Sequence, residues 1–235
     1  MKKPKMIIFD AGRTLLDYVN IDTMKGVNAL MPYIISNPQG LTAEKINEKT
    51  NEIFSYFEKC RKFLFEVPEQ TILALVYDLL ELKFSIDLCE IEEIIWNADA
   101  EKVLSPNVSV FLEKLEEMGI RTAVISNLDF SGKLLKAKLD ELLPDNRFEF
   151  VIASSDYGIR KPNPLIFEAG IRKSELDPQD IWYVGDKLSV DIEGSKRVGM
   201  VPVLYKSQKN KYPELPKDLI SLTDFNELIT IIEKI

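Results

Sequence analysis

Five short, β-rich apolar runs bounded by turn residues constrain this chain more than any other feature: Met6 to Phe9, Thr122 to Ile125, Phe150 to Ala153, Ile181 to Val184 and Val201 to Leu204. Each reads as a buried strand. Between the later runs lie helical patterns: Val108, Phe111, Leu112 and Leu115 after the Ser105-Pro106 start signal, then Leu134 to Leu143, Pro164 to Arg172 and Ser189 to Val198. Strands alternating with helices at βαβ spacing need crossover connections, which puts them in one parallel sheet. The expected fold class is α/β, a doubly wound parallel sheet.

The first run stands apart. Between Phe9 and Thr122 no strand-like alternation is visible, and the stretch reads as an inserted helical domain. Ile72, Leu75, Val76, Leu79 and Leu80 fit one helical stripe, while Ile46, Ile53, Phe54 and Phe57 mark another. Asp87 with Glu90 resembles a capping box opening a third helix. The aromatic cluster Phe54, Tyr56, Phe57, Phe63 and Phe65 reads mostly as the core of this bundle. We place the core domain at 1–17 and 105–235 and the helical insertion at 18–104. The polar segment from Lys206 to Lys217, with Pro213 and Pro216, reads as a solvated loop before the last helix.

Composition narrows the chemistry. The chain has 235 residues, suiting one domain with a large insertion or two small domains, and its 10 Gly and 12 Pro argue against fibrous or disordered states. A formal charge of −8 repels polyanions, so nucleic acid and anionic membrane are not expected partners. No apolar run approaches the ~18 residues of a membrane span and no signal peptide precedes the first strand, so a cytoplasmic location is expected. Cys60 and Cys89 stand in no CxxC spacing and read as small buried hydrophobes. The absence of histidine removes Ser-His-Asp and Cys-His mechanisms and His-containing zinc sites. Catalysis here must run on carboxylates, lysine, hydroxyls and a hard metal.

The strand ends supply those groups. Asp10 closes the first strand in the run Asp10-Ala11-Gly12-Arg13-Thr14, Ser126 and Asn127 follow the second, Arg160-Lys161-Pro162-Asn163-Pro164 follows the third, and Gly185-Asp186 ends the fourth ahead of Asp191. In a parallel sheet all of these emerge at one edge, where open α/β sheets bind ligands. Asp10, Asp186 and Asp191 offer the hard oxygens that hold Mg²⁺, Lys161 a point charge suited to phosphate, and Ser126 a hydrogen bond to a phosphoryl oxygen. Charge compensation of this kind is what an anionic nucleophile needs to meet a phosphate dianion.

Over nearly its whole length the sequence resembles the haloacid dehalogenase superfamily of aspartate-dependent hydrolases, in the form with a helical cap inserted after the first motif. The resemblance implies Asp10 as nucleophile, second-motif roles for Ser126 and Asn127, the phosphate-facing lysine at Lys161, and metal binding by Asp10, Asp186, Asp191 and the backbone carbonyl of Gly12. Arg13 and Thr14 are expected at the substrate. The implied activity is Mg²⁺-dependent hydrolysis of a small phosphorylated metabolite, with the cap selecting it and excluding water.

One position departs from the phosphatase pattern Asp-x-Asp-Gly-Thr: the second Asp, which protonates the leaving group and activates water in the family, is Gly12 here. Such acid–base help is worth about 10²–10⁴ in rate. The expectation is that aryl and acyl phosphates outperform sugar phosphates. The same departure admits a non-catalytic phospho-ligand-binding protein, a dehalogenase, or a phosphonate-cleaving enzyme using a cap lysine among Lys25, Lys45, Lys49, Lys59 and Lys62.

Overall fold

The computed structural model describes residues 2–207 and 210–235. The chain opens with β1 (Met6–Phe9) and leaves through β2 (Leu16–Val19) into α1 (Thr23–Leu30), β3 (Ile34–Ser36), α2 (Ala43–Glu58), α3 (Glu69–Leu79), β4 (Lys83–Phe84) and α4 (Leu88–Asp99), returning through β5 (Glu101–Leu104). There follow α5 (Val108–Glu117), β6 (Arg121–Ser126), α6 (Gly132–Leu142), β7 (Phe148–Ala153), α7 (Ser154–Tyr157) and α8 (Pro164–Ser174). The last elements are β8 (Ile181–Gly185), α9 (Glu193–Arg197), β9 (Val201–Tyr205), β10 (Ile220–Leu222) and α10 (Phe225–Glu233).

Six of these strands form one parallel sheet in the order β10-β9-β8-β1-β6-β7, the α/β class expected from the sequence. Strand alternation sorts its two faces. Ile7, Phe9, Val124, Trp182 and Val184 face α5, α6 and α10, whereas Ile8, Ala123, Ile125 and Tyr183 face Ile166 and Phe167 of α8. Residues of β1 and β8 are buried on both faces, which explains why they read as continuous apolar runs. β1 lies between β6 and β8, where the strand order reverses, and the crevice opens beyond their C-terminal ends.

The insertion is not strand-free, contrary to the sequence reading. β2 and β5 pair antiparallel, joining Leu16 to Leu104 and Val19 to Glu101, and β3 pairs with β4. These strands have two to four residues and partly exposed side chains, so they carry no visible alternation; partners distant in sequence create them. Three-residue β10 escaped for the same reason.

Within the insertion, α1 to α4 close on Leu30, Ile46, Ile72, Leu73, Val76 and Ile95 among others. The stripe expected on α3 is turned: Ile72, Val76 and Leu80 are buried, but Leu75 and Leu79 are exposed and Leu73 and Tyr77 take the inner positions. This helix is apolar on nearly every side, so only its packing partners choose the face. Asp87 and Glu90 form the expected capping box on α4. Of the aromatic cluster, Phe54 and Phe57 pack on the bundle while Tyr56, Phe63 and Phe65 are exposed. The tight turn Lys59–Phe63 and the left-handed Leu64 carry the chain off the bundle after α2. Cys89 is exposed in the first turn of α4 and Cys60 half-buried, so neither is the fully buried hydrophobe expected. Among the described residues no helix is long and apolar enough to cross a membrane.

Candidate active site

Backbone hydrogen bonds fix where Asp10, Asp191 and Lys161 reach the crevice. The Asp10 amide donates to the Val184 carbonyl at 2.8 Å, extending the sheet ladder one residue past β1 and fixing where the carboxylate emerges. Asp191 sits in a wide helical turn, Leu188–Ile192, and its Oδ2 accepts the Lys187 amide at 3.0 Å. Gly185 makes this approach possible, because a Cβ there would lie 2.5 Å from the Cβ and Cγ of Asp191. Lys161 arrives on the loop before α8, where the Asn127 side chain clamps its backbone: Nδ2 donates to the Lys161 carbonyl at 2.9 Å and Oδ1 accepts its amide at 2.8 Å.

The Lys161 ammonium, in a residue only 2% exposed, spends its three donors inside the site. Nζ lies 2.6 Å from Asp10 Oδ1, 2.7 Å from Asp191 Oδ1 and 2.7 Å from the Tyr183 hydroxyl, which itself donates to the Ile125 carbonyl at 2.8 Å. Burial opposes charge on Lys161, but Asp10 and Asp191 outweigh it and hold the ammonium protonated well above its usual range. Burial pushes the Asp10 carboxyl up to about 7, with Asp191 and Asp186 adding to the shift and Lys161 opposing it. Burial and Asp191 also raise Asp186.

Carboxylate oxygens of Asp10, Asp186 and Asp191 lie within 4.8 Å of one another. Asp186 Oδ2 accepts the Asn210 amide at 2.5 Å, while its buried Oδ1 has no hydrogen-bond partner among the described residues. Three carboxylates converging around an unclaimed oxygen fit a hard cation that takes oxygen ligands.

A cleft of about 190 Å³ over these groups is lined by Asp10, Gly12, Ser126, Asn127, Lys161 and Asp191, together with Arg13 and Tyr18. Thr14 does not line it: the turn formed as Thr14 and Leu15 donate to the Ala11 carbonyl buries its side chain, which corrects the expected substrate contact. Arg13 is exposed, with a left-handed φ of 62°, and its guanidinium donates to Asn210 Oδ1 at 3.2 Å.

The family model described as haloacid dehalogenase-like hydrolase matches residues 4–199. The chain belongs to that family. It is 33% identical over 138 residues to the glyceraldehyde 3-phosphate phosphatase of Methanopyrus kandleri, a match covering 55% of this chain and 57% of that protein. To the enzyme of the same name in Pyrococcus furiosus it is 26% identical over all of this chain and 95% of the relative. The 2-haloacid dehalogenase structure from Pseudomonas syringae superposes with a TM-score of 0.67 over 98% of this chain and 99% of that one, at 20% identity, a likeness of fold.

Several contributors to this haloacid dehalogenase-like site were not found from sequence. Tyr183 reads as one more apolar strand residue, although a hydroxyl in a wholly buried strand must find a polar partner. Asn210 and Tyr212 belong to the segment read as a solvated loop, yet the Tyr212 hydroxyl donates to the Asp186 carbonyl at 2.9 Å; Gln208 and Lys209 of that segment lie outside the described residues. Tyr18 stands where a Cβ on Gly12 would meet its ring at 3.3 Å. None of the five candidate cap lysines lines the cleft.

Proposed function

We propose that this chain is a Mg²⁺-dependent phosphatase that hydrolyses small phosphate monoesters through an aspartyl phosphate on Asp10. The observation that carries this reading is the buried ammonium of Lys161 joined to both Asp10 and Asp191 beside the unclaimed oxygen of Asp186. Asp10, Asp186, Asp191 and the Gly12 carbonyl are the groups that would hold Mg²⁺, which when bound supplies positive charge against the phosphate.

Asp10 attacks phosphorus with one carboxylate oxygen, and the bond from phosphorus to the leaving oxygen breaks with its electron pair going to the leaving group. Lys161 and Ser126 hold phosphoryl oxygens during transfer. Water then attacks the same phosphorus, the bond to Asp10 breaks, and phosphate leaves with the carboxylate restored. Gly12 has no proton to give, so leaving groups that depart as stable anions react faster than alkoxides. The names of the Methanopyrus and Pyrococcus relatives favour a small phosphorylated metabolite as substrate.

Hydrolysis of 4-nitrophenyl phosphate with and without Mg²⁺, for the wild type and Asp10→Asn, tests the reading. Turnover that requires Mg²⁺ and falls at least about 10³-fold in the variant is expected. Gly12 favours a second reading, a phospho-ligand-binding protein: no turnover alongside measurable phosphate binding would establish it.

A further inference from the structure

A second cavity, of about 210 Å³, lies in the insertion between α1, α2, α3 and α4 and the loop after β6. Val27, Phe54, Leu73 and Phe130 give it apolar walls, and Glu69 enters it from the first turn of α3. Glu69 is only 6% exposed, yet its carboxyl has no hydrogen bond or ion pair among the described residues. Asn47 Oδ1, from another lining residue, is likewise buried without a hydrogen-bond partner, and Asp99 adds a further carboxyl to the lining, its Oδ1 set against Gly26 of α1. Buried acceptors without donors are costly, and such groups in folded proteins are nearly always satisfied.

The nearby cations do not fill the need. Arg61 is committed to Asp129 at 2.7 Å and lies 3.5 Å from Glu66. Lys102 donates to the Ala100 carbonyl at 2.9 Å and to the Trp96 carbonyl. The groups around Glu69 are mostly acidic: burial, reinforced by Asp129, Asp99 and Glu92, raises its carboxyl well above the usual range against Arg61, and burial pushes Asp99 up to about 6 against the Gly26 amide and Lys102. A ligand suited to this lining brings donors and positive charge; an ammonium has three donors and no acceptor.

The cavity adjoins the phosphatase cleft. Ser126, Asn127 and Leu128 line the cleft while Asp129 and Phe130, next in the same loop, line the cavity. The buried Trp96 packs between a residue of each, its ring 5.9 Å from Tyr18 and 4.9 Å from Phe130. We infer that the substrate is a phosphate monoester whose far end carries a cationic amine, received in this cavity by Glu69, Asp99 and Asn47. The inference rests on the phosphatase reading for the position of the phosphate, and it departs from the glyceraldehyde 3-phosphate in the relatives' names, which has no amine.

The test compares 4-(2-aminoethyl)phenyl phosphate with 4-ethylphenyl phosphate, which share a phenolate leaving group and differ in the amine. For the wild type kcat/KM should favour the amine by about tenfold or more, the worth of one charge-assisted hydrogen bond. Glu69→Gln should bring that ratio to about two, and Asp99→Asn should lower it independently, so the proposal stays testable if one variant does not fold. A ratio near one in the wild type, a ratio unmoved by both variants, or a preference for glyceraldehyde 3-phosphate over the amine would overturn the inference. If 4-nitrophenyl phosphate is hydrolysed but neither of these esters is, the inference is overturned while the phosphatase reading stands; if none of the three is hydrolysed, the phosphatase reading fails and calorimetric titration with the same two compounds decides: tighter binding of the amine upholds the cavity assignment, and equal binding ends it.

Discussion

At the scale of single residues, Gly12 and Asp99 show how one position sets chemistry or stability. Restoring a carboxylate by Gly12→Asp should raise turnover of alkyl phosphates by at least about tenfold, a fraction of what general acid catalysis gives, while changing aryl phosphates much less. The new Cβ lies 3.3 Å from the Tyr18 ring, which must shift by a few tenths of an ångström. A leaving-group series on both proteins checks this, and unchanged alkyl rates in a folded variant would sink it. Burial raises the Asp99 carboxyl to about 6, against the Gly26 amide and Lys102. With the folded value above the unfolded one, the stabilisation associated with its protonated form is complete below about pH 4 and is lost as pH rises to about 6. Asp99→Asn should therefore gain about 1 kcal/mol relative to wild type between pH 5 and pH 8, the part of that window left after screening, as measured by urea unfolding at the two values.

At the scale of elements, the end of β8 and the wide turn after it form one device. Gly185 lets Asp191 lie against the strand, and the Lys187 amide fixes the carboxylate. Gly185→Ala should cost about 1–3 kcal/mol in stability and weaken Mg²⁺ binding severalfold, because a Cβ at 2.5 Å forces Asp191 aside. Calorimetric Mg²⁺ titration alongside thermal unfolding separates the two effects. The spacing of Gly185, Asp186 and Asp191 was legible because strand, turn and carboxylates are contiguous in sequence. The face buried by α3 was not, since a helix apolar around most of its circumference leaves that choice to its neighbours.

At the scale of the whole molecule, the insertion is tied to the core beside the site. Glu66, 4% exposed, accepts from Ser154 Oγ at 2.7 Å and from Arg160 Nη1 at 3.0 Å, and its amide donates to the Gly158 carbonyl at 3.0 Å. Glu92 accepts the Ser131 amide at 2.7 Å from the other side of the insertion. Glu66→Ala strands the partly buried Arg160 guanidinium, and a loss of about 2–4 kcal/mol is expected, with faster hydrogen exchange in the segments flanking residues 61–69 and 154–160. Exchange confined to the global unfolding rate would contradict the idea that this contact holds the insertion on the core.

The sequence by itself determined the parallel α/β core, the haloacid dehalogenase-like family and the strand ends at which Asp10, Ser126, Asp186 and Asp191 emerge, because these follow from local periodicity and contiguous motifs. The tertiary structure decided what depends on partners distant along the chain. It joined Lys161 to Tyr183, 22 residues away, and brought Asn210 to Asp186, 24 away. It turned Thr14 inward, paired β2 with β5, and left Glu69 unpartnered beside Asp99 and Asn47 in the insertion. Burial and hydrogen bonding are properties of the packed chain, and a carboxylate such as Glu69 looks like any surface acid until the elements around it have closed.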